Sequence, residues 1–148
     1  SPSYFDTIFE NFKMMAEEND RQLKVYNKVQ GLIFTDKTLL KQVMTILFDN
    51  AIKYSEDGGL IQIQLDVRDR HLIFSIADDG LGISDADKKK IFDRFYRVDK
   101  ARTRQKGGVG LGLSLAKQIL DILNGTITVK NNQPKGSIFE VRLPIKTK

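Results

Sequence analysis

Two glycine turns and one amide carry the chemistry that this chain of 148 residues can offer. The first turn is Asp78-Asp79-Gly80-Leu81-Gly82-Ile83, with carboxylates at its mouth. The second is Gly107-Gly108-Val109-Gly110-Leu111-Gly112-Leu113, which opens into an amphipathic stretch ending at Leu123. Glycine lets the main chain turn at positive φ and lets another group come close to it. A helix start presents unpaired N–H groups and the positive end of a dipole, which suits phosphate. The pair reads as a nucleotide site. No Lys-Ser/Thr follows the second run, so it is not a P-loop. The segment before it, Arg94 to Lys106, is charged and not a strand, so it is not a dinucleotide fingerprint.

The amide is Asn50. Between Asp36 and Ser55 the apolar residues Leu39, Leu40, Val43, Ile46, Leu47, Ala51 and Tyr54 recur at helical spacing. Asn50 lies on that stripe. A core-facing amide costs free energy unless it is hydrogen-bonded or ligated. It either bonds a neighbouring backbone group or offers its oxygen, a hard donor, to Mg²⁺.

The elements that must position these residues follow from patterning. Phe5, Ile8, Phe9, Phe12, Met15 and Ala16 predict a helix over 5–19. Leu23, Val25 and Val29 predict a strand. The helix over 36–55 is expected to be N-capped by Asp36. Ile61 to Val67 alternates, Asp69-Arg70 turns the chain, and His71 to Ala77 returns, leaving Asp78 at a strand end. Ser84-Asp85-Ala86-Asp87 predicts a capped helix reaching about Phe92. Leu111, Leu115, Ile119 and Ile122 predict a last helix stopped by Asn124-Gly125. Strands over 126–130 and 137–143 close the chain. The sum is an α/β two-layer sandwich, a mixed, mostly antiparallel sheet with helices on one face.

Composition narrows the options. Hydrophobic residues make up 41% of the chain, enough for one domain with a real core. No apolar run approaches the ~18 residues of a membrane span. Cysteine is absent and there is one histidine, which argues against disulfides, thiolate chemistry and structural zinc. The net charge of +5 is partly local: Lys88, Lys89, Lys90, Arg94, Arg97, Lys100, Arg102, Arg104 and Lys106 crowd around the second glycine turn. A nucleic-acid patch is one reading. A solvated face with a phosphate-facing loop is preferred, because no nucleic-acid motif accompanies the charge.

Along its whole length the chain resembles the catalytic domains of bacterial sensor histidine kinases. Asp49-Asn50-Ala51-Ile52-Lys53-Tyr54-Ser55 looks like their N box, Asp78-Asp79-Gly80-Leu81-Gly82 like the G1 box, Ile91-Phe92-Asp93-Arg94-Phe95-Tyr96-Arg97 like the F box and Gly108-Val109-Gly110-Leu111-Gly112-Leu113 like the G2 box. Gly136-Ser137 with Phe139 and Leu143-Pro144 looks like the closing strand. The resemblance implies the Bergerat ATP-binding fold and assigns roles. Asn50 would hold Mg²⁺ at the ATP phosphates, and Asp78 would accept a hydrogen bond from the adenine amino group. Gly80 and Gly82 would let base and sugar lie on the backbone, with Ile83 and Ser137 beside them. Lys53 would approach a phosphate, unless it is only a solvated helix-face residue. Tyr54 would pack on the purine, unless it is plain core. Gly108, Gly110, Leu111, Gly112 and Leu113 would cradle the phosphates. Arg97 would steady the γ-phosphate, with Arg94 second, and the segment from Arg97 to Gly108 would be a lid ordered by ATP.

Three residues depart from the family pattern. Ile46 stands where the family usually has Asn and where related ATPases have a water-activating Glu. Val109 replaces a hydroxyl residue, and Ser137 replaces Thr. His71 lacks the acidic residue and proline that follow a phosphoacceptor, so it reads as an ordinary strand histidine. Residues 1–148 are therefore expected to be one catalytic ATP-binding domain, with 1–20 a helical segment leading from a separate His-bearing dimerisation domain. The expected partners are that domain and a response regulator, with no nucleic acid and a monomeric fragment. The expected setting is the cytoplasmic side of a membrane-anchored sensor. Two rival readings are an ATP-hydrolysing relative of the gyrase, Hsp90 or MutL type, and a non-catalytic nucleotide-binding module.

Overall fold

The computed structural model describes residues 3–96 and 112–147. The chain opens with α1 (Tyr4–Glu18), β1 (Gln22–Asn27), β2 (Ile33–Phe34) and α2 (Lys37–Tyr54). It continues with β3 (Leu60–Arg68), β4 (His71–Asp78), α3 (Asp85–Lys88) and α4 (Gly112–Ile122). It closes with β5 (Thr126–Asn131), β6 (Ser137–Pro144) and β7 (Lys146–Thr147). Five strands form one sheet in the order β1-β3-β4-β6-β5. β1 runs parallel to β3 and the other neighbours are antiparallel. This is the mixed, mostly antiparallel sheet that patterning predicts.

Alternation decides which face is covered. Ile61, Ile63 and Leu65 of β3, Leu72, Phe74 and Ile76 of β4, and Phe139, Val141 and Leu143 of β6 share one core with the apolar stripes of α1, α2 and α4. The intervening residues Gln64, Ser75 and Glu140 sit opposite one another in register on the other face. The helices therefore occupy one side. α1 belongs fully to this core. Phe5, Ile8, Phe9, Phe12 and Ala16 are buried, and the Phe12 ring stacks flat on Phe48 of α2 with centroids 4.2 Å apart. Ser3 starts α1 with a reciprocal capping box to Asp6, and Asp36 caps α2 by accepting from the Leu39 N–H at 2.9 Å.

The β3–β4 hairpin closes through Asp69 and Arg70, both at positive φ (51° and 62°), the two-residue turn whose twist matches that of the strands. Asn124 takes the left-handed position that ends α4, and the Gly125 N–H bonds Leu120 O at 2.7 Å.

Two expectations need correction, and one pair of strands was not expected. Val29 lies beyond β1, its N–H taken by the Asn27 side chain at 2.9 Å. The short pair β2–β7 had no sequence signal, since two residues are too few for periodicity. Ser84 does cap α3, but the helix stops at Lys88 instead of reaching Phe92. Beyond it, i→i−3 bonds take over at Lys90, Asp93 and Tyr96. Lys88-Lys89-Lys90 offers no apolar stripe to reward helix propagation, and only Ile91 and Phe92 reach the core.

Because α1 is core and not an appendage, Phe12→Ala is expected to cost about 3–5 kcal/mol of unfolding free energy. Urea melts of parent and variant measure it. A loss of a few tenths would mean that α1 docks loosely.

Candidate functional site

The predicted residues gather where the ends of α2 and β4 meet the turn between β5 and β6. Asp78 is the last residue of β4 and is only 2% exposed. Its Oδ1 accepts the Gly80 N–H at 2.9 Å and its Oδ2 accepts the Ser137 hydroxyl at 3.0 Å. Burial pushes the Asp78 carboxyl above its ordinary range. The bonds from Gly80 and Ser137 oppose that shift, and neighbouring Asp79 adds to it. Each oxygen keeps acceptor capacity, and the carboxylate can only accept while it is ionised. It is a buried acceptor held in place by two donors, the Gly80 N–H and the Ser137 hydroxyl.

Glycine is required here for contact between main chains. A Cβ at Gly80 would run into the Tyr54 carbonyl oxygen at the end of α2. A Cβ at Gly136 would run into the carbonyl of Asp78 itself. Gly82, at φ 79°, passes the Gly136 carbonyl, which a Cβ would meet at 3.2 Å. Three chain segments are thus stacked backbone on backbone around Asp78. Asn132 completes the clamp. Its side-chain amide donates to Asp78 O at 2.8 Å, and its own N–H takes Gly136 O at 3.0 Å. Sequence reasoning missed Asn132; an Asn four residues before Gly136 is too common a turn signal to single out.

On α2, Asn50 is half-buried on the same stripe as Ile46 and Leu47, as its spacing predicts. Among the described residues, none hydrogen-bonds to its carboxamide. Its oxygen is a hard donor of the kind Mg²⁺ takes alongside phosphate and water oxygens, so the residue fits a phosphate-bound cation. Lys53 is exposed one turn from Asp49, whose carboxyl burial pushes up while the Lys53 charge opposes it. Tyr54 is half-buried. Ile83 follows Gly82 and packs partly against the core, as does Leu113 at the start of α4. Ile46 lies beside that start as well: a Cβ on Gly112 would sit 3.5 Å from its Cγ2. Asp79 turns away, its Oδ2 accepting the Leu60 N–H at 3.0 Å.

His71 opens β4 at the opposite end of the strand from Asp78, with Nδ1 2.9 Å from Asp69 O, which agrees with a strand histidine. Phe92 meets Phe139 edge-on, an anchoring core contact. Arg94 lies over the Phe95 ring. Arg97, Gly108, Gly110 and Leu111, with the predicted lid, lie outside the described residues. No described group of acidic, histidine or cysteine side chains could chelate a metal by itself.

Residues 35–147 match the family model of histidine kinase-, DNA gyrase B- and HSP90-like ATPases. The chain is 61% identical over 145 residues to the sensor protein CiaH of Streptococcus pneumoniae serotype 4, covering 98% of this chain and 33% of that protein. The fold superposes on a mycobacterial sensor histidine kinase, MprB, with a TM-score of 0.82, 27% identity and coverage of 98% of this chain and 95% of that one. It also matches the fold of histidine kinase ThkA, solved in complex with the response regulator TrrA, with a TM-score of 0.78, 24% identity and coverage of 95% and 39%. The chain therefore spans about a third of the length of this curated relative.

The raised Asp78 pKa has a stability consequence whose sign is fixed. A folded-state pKa above the unfolded one favours folding at low pH, and that stability is lost as pH rises through the folded value. Asp78→Asn removes the ionised group while its carbonyl can still accept from Gly80. The variant is expected to be at least as stable as the parent at pH 7, with the difference shrinking as pH falls through the raised folded value and gone below about 4, the ordinary carboxylate value. Urea midpoints at both pH values test this. A variant less stable at pH 7 than at pH 4, relative to the parent, would contradict the assigned penalty.

Proposed function

The chain belongs to the histidine kinase-, DNA gyrase B- and HSP90-like ATPase family, as the catalytic ATP-binding domain of a sensor histidine kinase, and from that premise we propose that it binds Mg-ATP and hands the γ-phosphoryl group to a histidine on a separate dimerisation domain. The observation that carries the proposal is the buried, doubly braced Asp78 carboxylate at a strand end, beside the α2 turn that bears Asn50, Lys53 and Tyr54.

In this reading Asp78 accepts a hydrogen bond from the adenine amino group. Guanine carries a carbonyl at that position, and two acceptors facing each other across a buried contact would both go unsatisfied. Tyr54 and Ile83 flank the purine, which lies along the main chain that Gly80 and Gly82 pack against the α2 end and the Gly136 turn. Ser137 holds the Asp78 carboxylate in orientation. Asn50 directs its amide oxygen to Mg²⁺, which neutralises phosphate charge when bound. Lys53, Gly112 and Leu113 serve the phosphate side, where the start of α4 adds its dipole. Phosphoryl transfer asks for positioning and charge neutralisation more than for covalent chemistry. His71 stands at the far end of β4, so the acceptor histidine belongs to another domain. By analogy with the ThkA–TrrA pair, a response regulator acts downstream, and the domain works on the cytoplasmic side of a membrane-anchored sensor. No described helix is long and apolar enough to cross a membrane.

Ile46 favours transfer over hydrolysis. It packs between the core and α4, and an alkyl side chain cannot activate water.

Titration calorimetry with and without Mg²⁺ tests the metal assignment. Asn50→Ala is expected to lose the magnesium-dependent part of ATP affinity; equal dependence in both proteins rejects the role. GTP is expected to compete poorly with ATP for the parent, and equal competition would remove Asp78 as the base selector.

The phosphotransfer arm uses labelled ATP. The chain alone is expected to stay unlabelled, and added His-bearing domain from the same parent protein to acquire acid-labile phosphate. Steady phosphate release without transfer would favour the hydrolase reading instead.

A further inference from the structure

We propose that Arg21, which lies outside every motif of the site, is a positioning residue for the adenine side of the nucleotide site. The inference rests on the ATP-binding reading above. Arg21 sits between α1 and β1, and its side chain is only 7% exposed. Its guanidinium makes five hydrogen bonds: Nε to Ser55 Oγ (2.9 Å), Nη1 to Asn19 O (2.6 Å) and Asp57 Oδ1 (2.7 Å), and Nη2 to Ile52 O and Ser55 O (both 2.9 Å). That uses all five N–H donors an arginine has.

Two of the acceptors are main-chain carbonyls at the end of α2. The last carbonyls of a helix have no partner within it, and here Arg21 supplies one. The residues so fixed, Ile52 and Ser55, bracket Lys53 and Tyr54. Tyr54 O is the atom against which Gly80 is packed too tightly for any side chain. A shift of this turn is therefore passed to Gly80, and from the Gly80 N–H to the Asp78 carboxylate. The same junction is zipped to the next stretch of chain: Gly58 N–H bonds Asp20 O at 2.6 Å, and Gln22 N–H bonds Gly59 O at 2.8 Å. On its other side that stretch is held by Asp79 through the Leu60 N–H. The turn after α2 is thus gripped from one side by Arg21 and from the other by the residue next to Asp78.

The ion pair is not what matters. Asp57 is 89% exposed, and such pairs contribute little. The fork geometry is what matters, since lysine offers one point charge and cannot reach carbonyls and hydroxyl together.

Nucleotide dissociation constants for the whole chain, measured by calorimetry well below each variant's melting temperature, test the proposal. Arg21→Gln and Arg21→Lys are both expected to weaken ATP and ADP on the order of tenfold, as a misplaced binding element does. The ratio of affinities with and without Mg²⁺ should stay at the parent's value, because Arg21 bonds the carbonyls of Ile52 and Ser55 and makes no bond to Asn50. Asp57→Asn is expected to stay within about twofold. Leu72→Ala, at the opposite end of β4, supplies a control that lowers melting temperature without touching the turn. Should Arg21→Gln fail to fold, Arg21→Lys carries the test. Unchanged affinity in a folded Arg21 variant overturns the proposal, leaving Arg21 as a helix cap alone. So does a loss in Leu72→Ala as large as that in Arg21→Gln. A parent protein that binds no adenine nucleotide sinks the underlying reading and this one with it.

Discussion

Main chain packed on main chain at Gly80 and Gly136 is the constraint on which the site depends. Side chains normally keep backbones apart by several ångströms. Here a Cβ at either glycine would overlap a neighbouring carbonyl. Because the gap is closed, Asp78 is buried at the strand end, and the hydroxyl of Ser137 and the amide of Gly80 are close enough to bond it. The same closeness ties the end of α2 to the end of β4, so residues far apart in sequence form one surface. Any side chain at these positions would move three segments together.

A buried carboxylate is an expensive way to finish a strand. Desolvation works against its charged form, and the two bonds it accepts offset only part of that. A fold selected for stability alone would place an amide or an apolar residue there. The persistence of charge at Asp78 makes sense if binding an N–H donor is worth more than the stability forgone, a trade that functional sites make repeatedly. The nearby Asn132 bond to Asp78 O has the complementary job of fixing the main chain so that the carboxylate cannot swing outward.

Periodicity and turn chemistry were enough to read most of this architecture from the sequence. α1, α2, α4 and the strands carrying the core announce themselves because an apolar stripe of period 3.6 or 2 is the physical cause of their burial. Asp78 at a strand end follows from the His71–Ala77 alternation alone. What escaped were features made by contacts distant in sequence. Arg21 looks like any charged residue after a helix until α2 is folded against it. Asn132 looks like any turn residue until β4 passes beneath. The early end of α3 escaped for a different reason: Ser84 signals a start, but a start without an apolar face does not propagate. Gly80 was read as room for a ligand, and there the room is filled by the Tyr54 carbonyl, as the space at Gly136 is filled by that of Asp78.

Ile46 shows how one substitution can be absorbed by packing. It lies four residues before Asn50, hence on the same face of α2, and that face meets the start of α4 near Gly112. A polar side chain there would need partners between two helices, or would reach toward whatever binds at the α4 start. An isoleucine needs neither, and it gains apolar contact by filling the angle between α2 and α4. The stripe is then left with one polar residue, Asn50, whose carboxamide no described residue engages. An amide kept on an otherwise apolar face, with an alkyl group one turn before it, is poorly suited to activating water and well suited to holding a cation still. In the proposed reading, the same packing that stabilises the α2–α4 junction tilts the site toward phosphoryl transfer and away from hydrolysis.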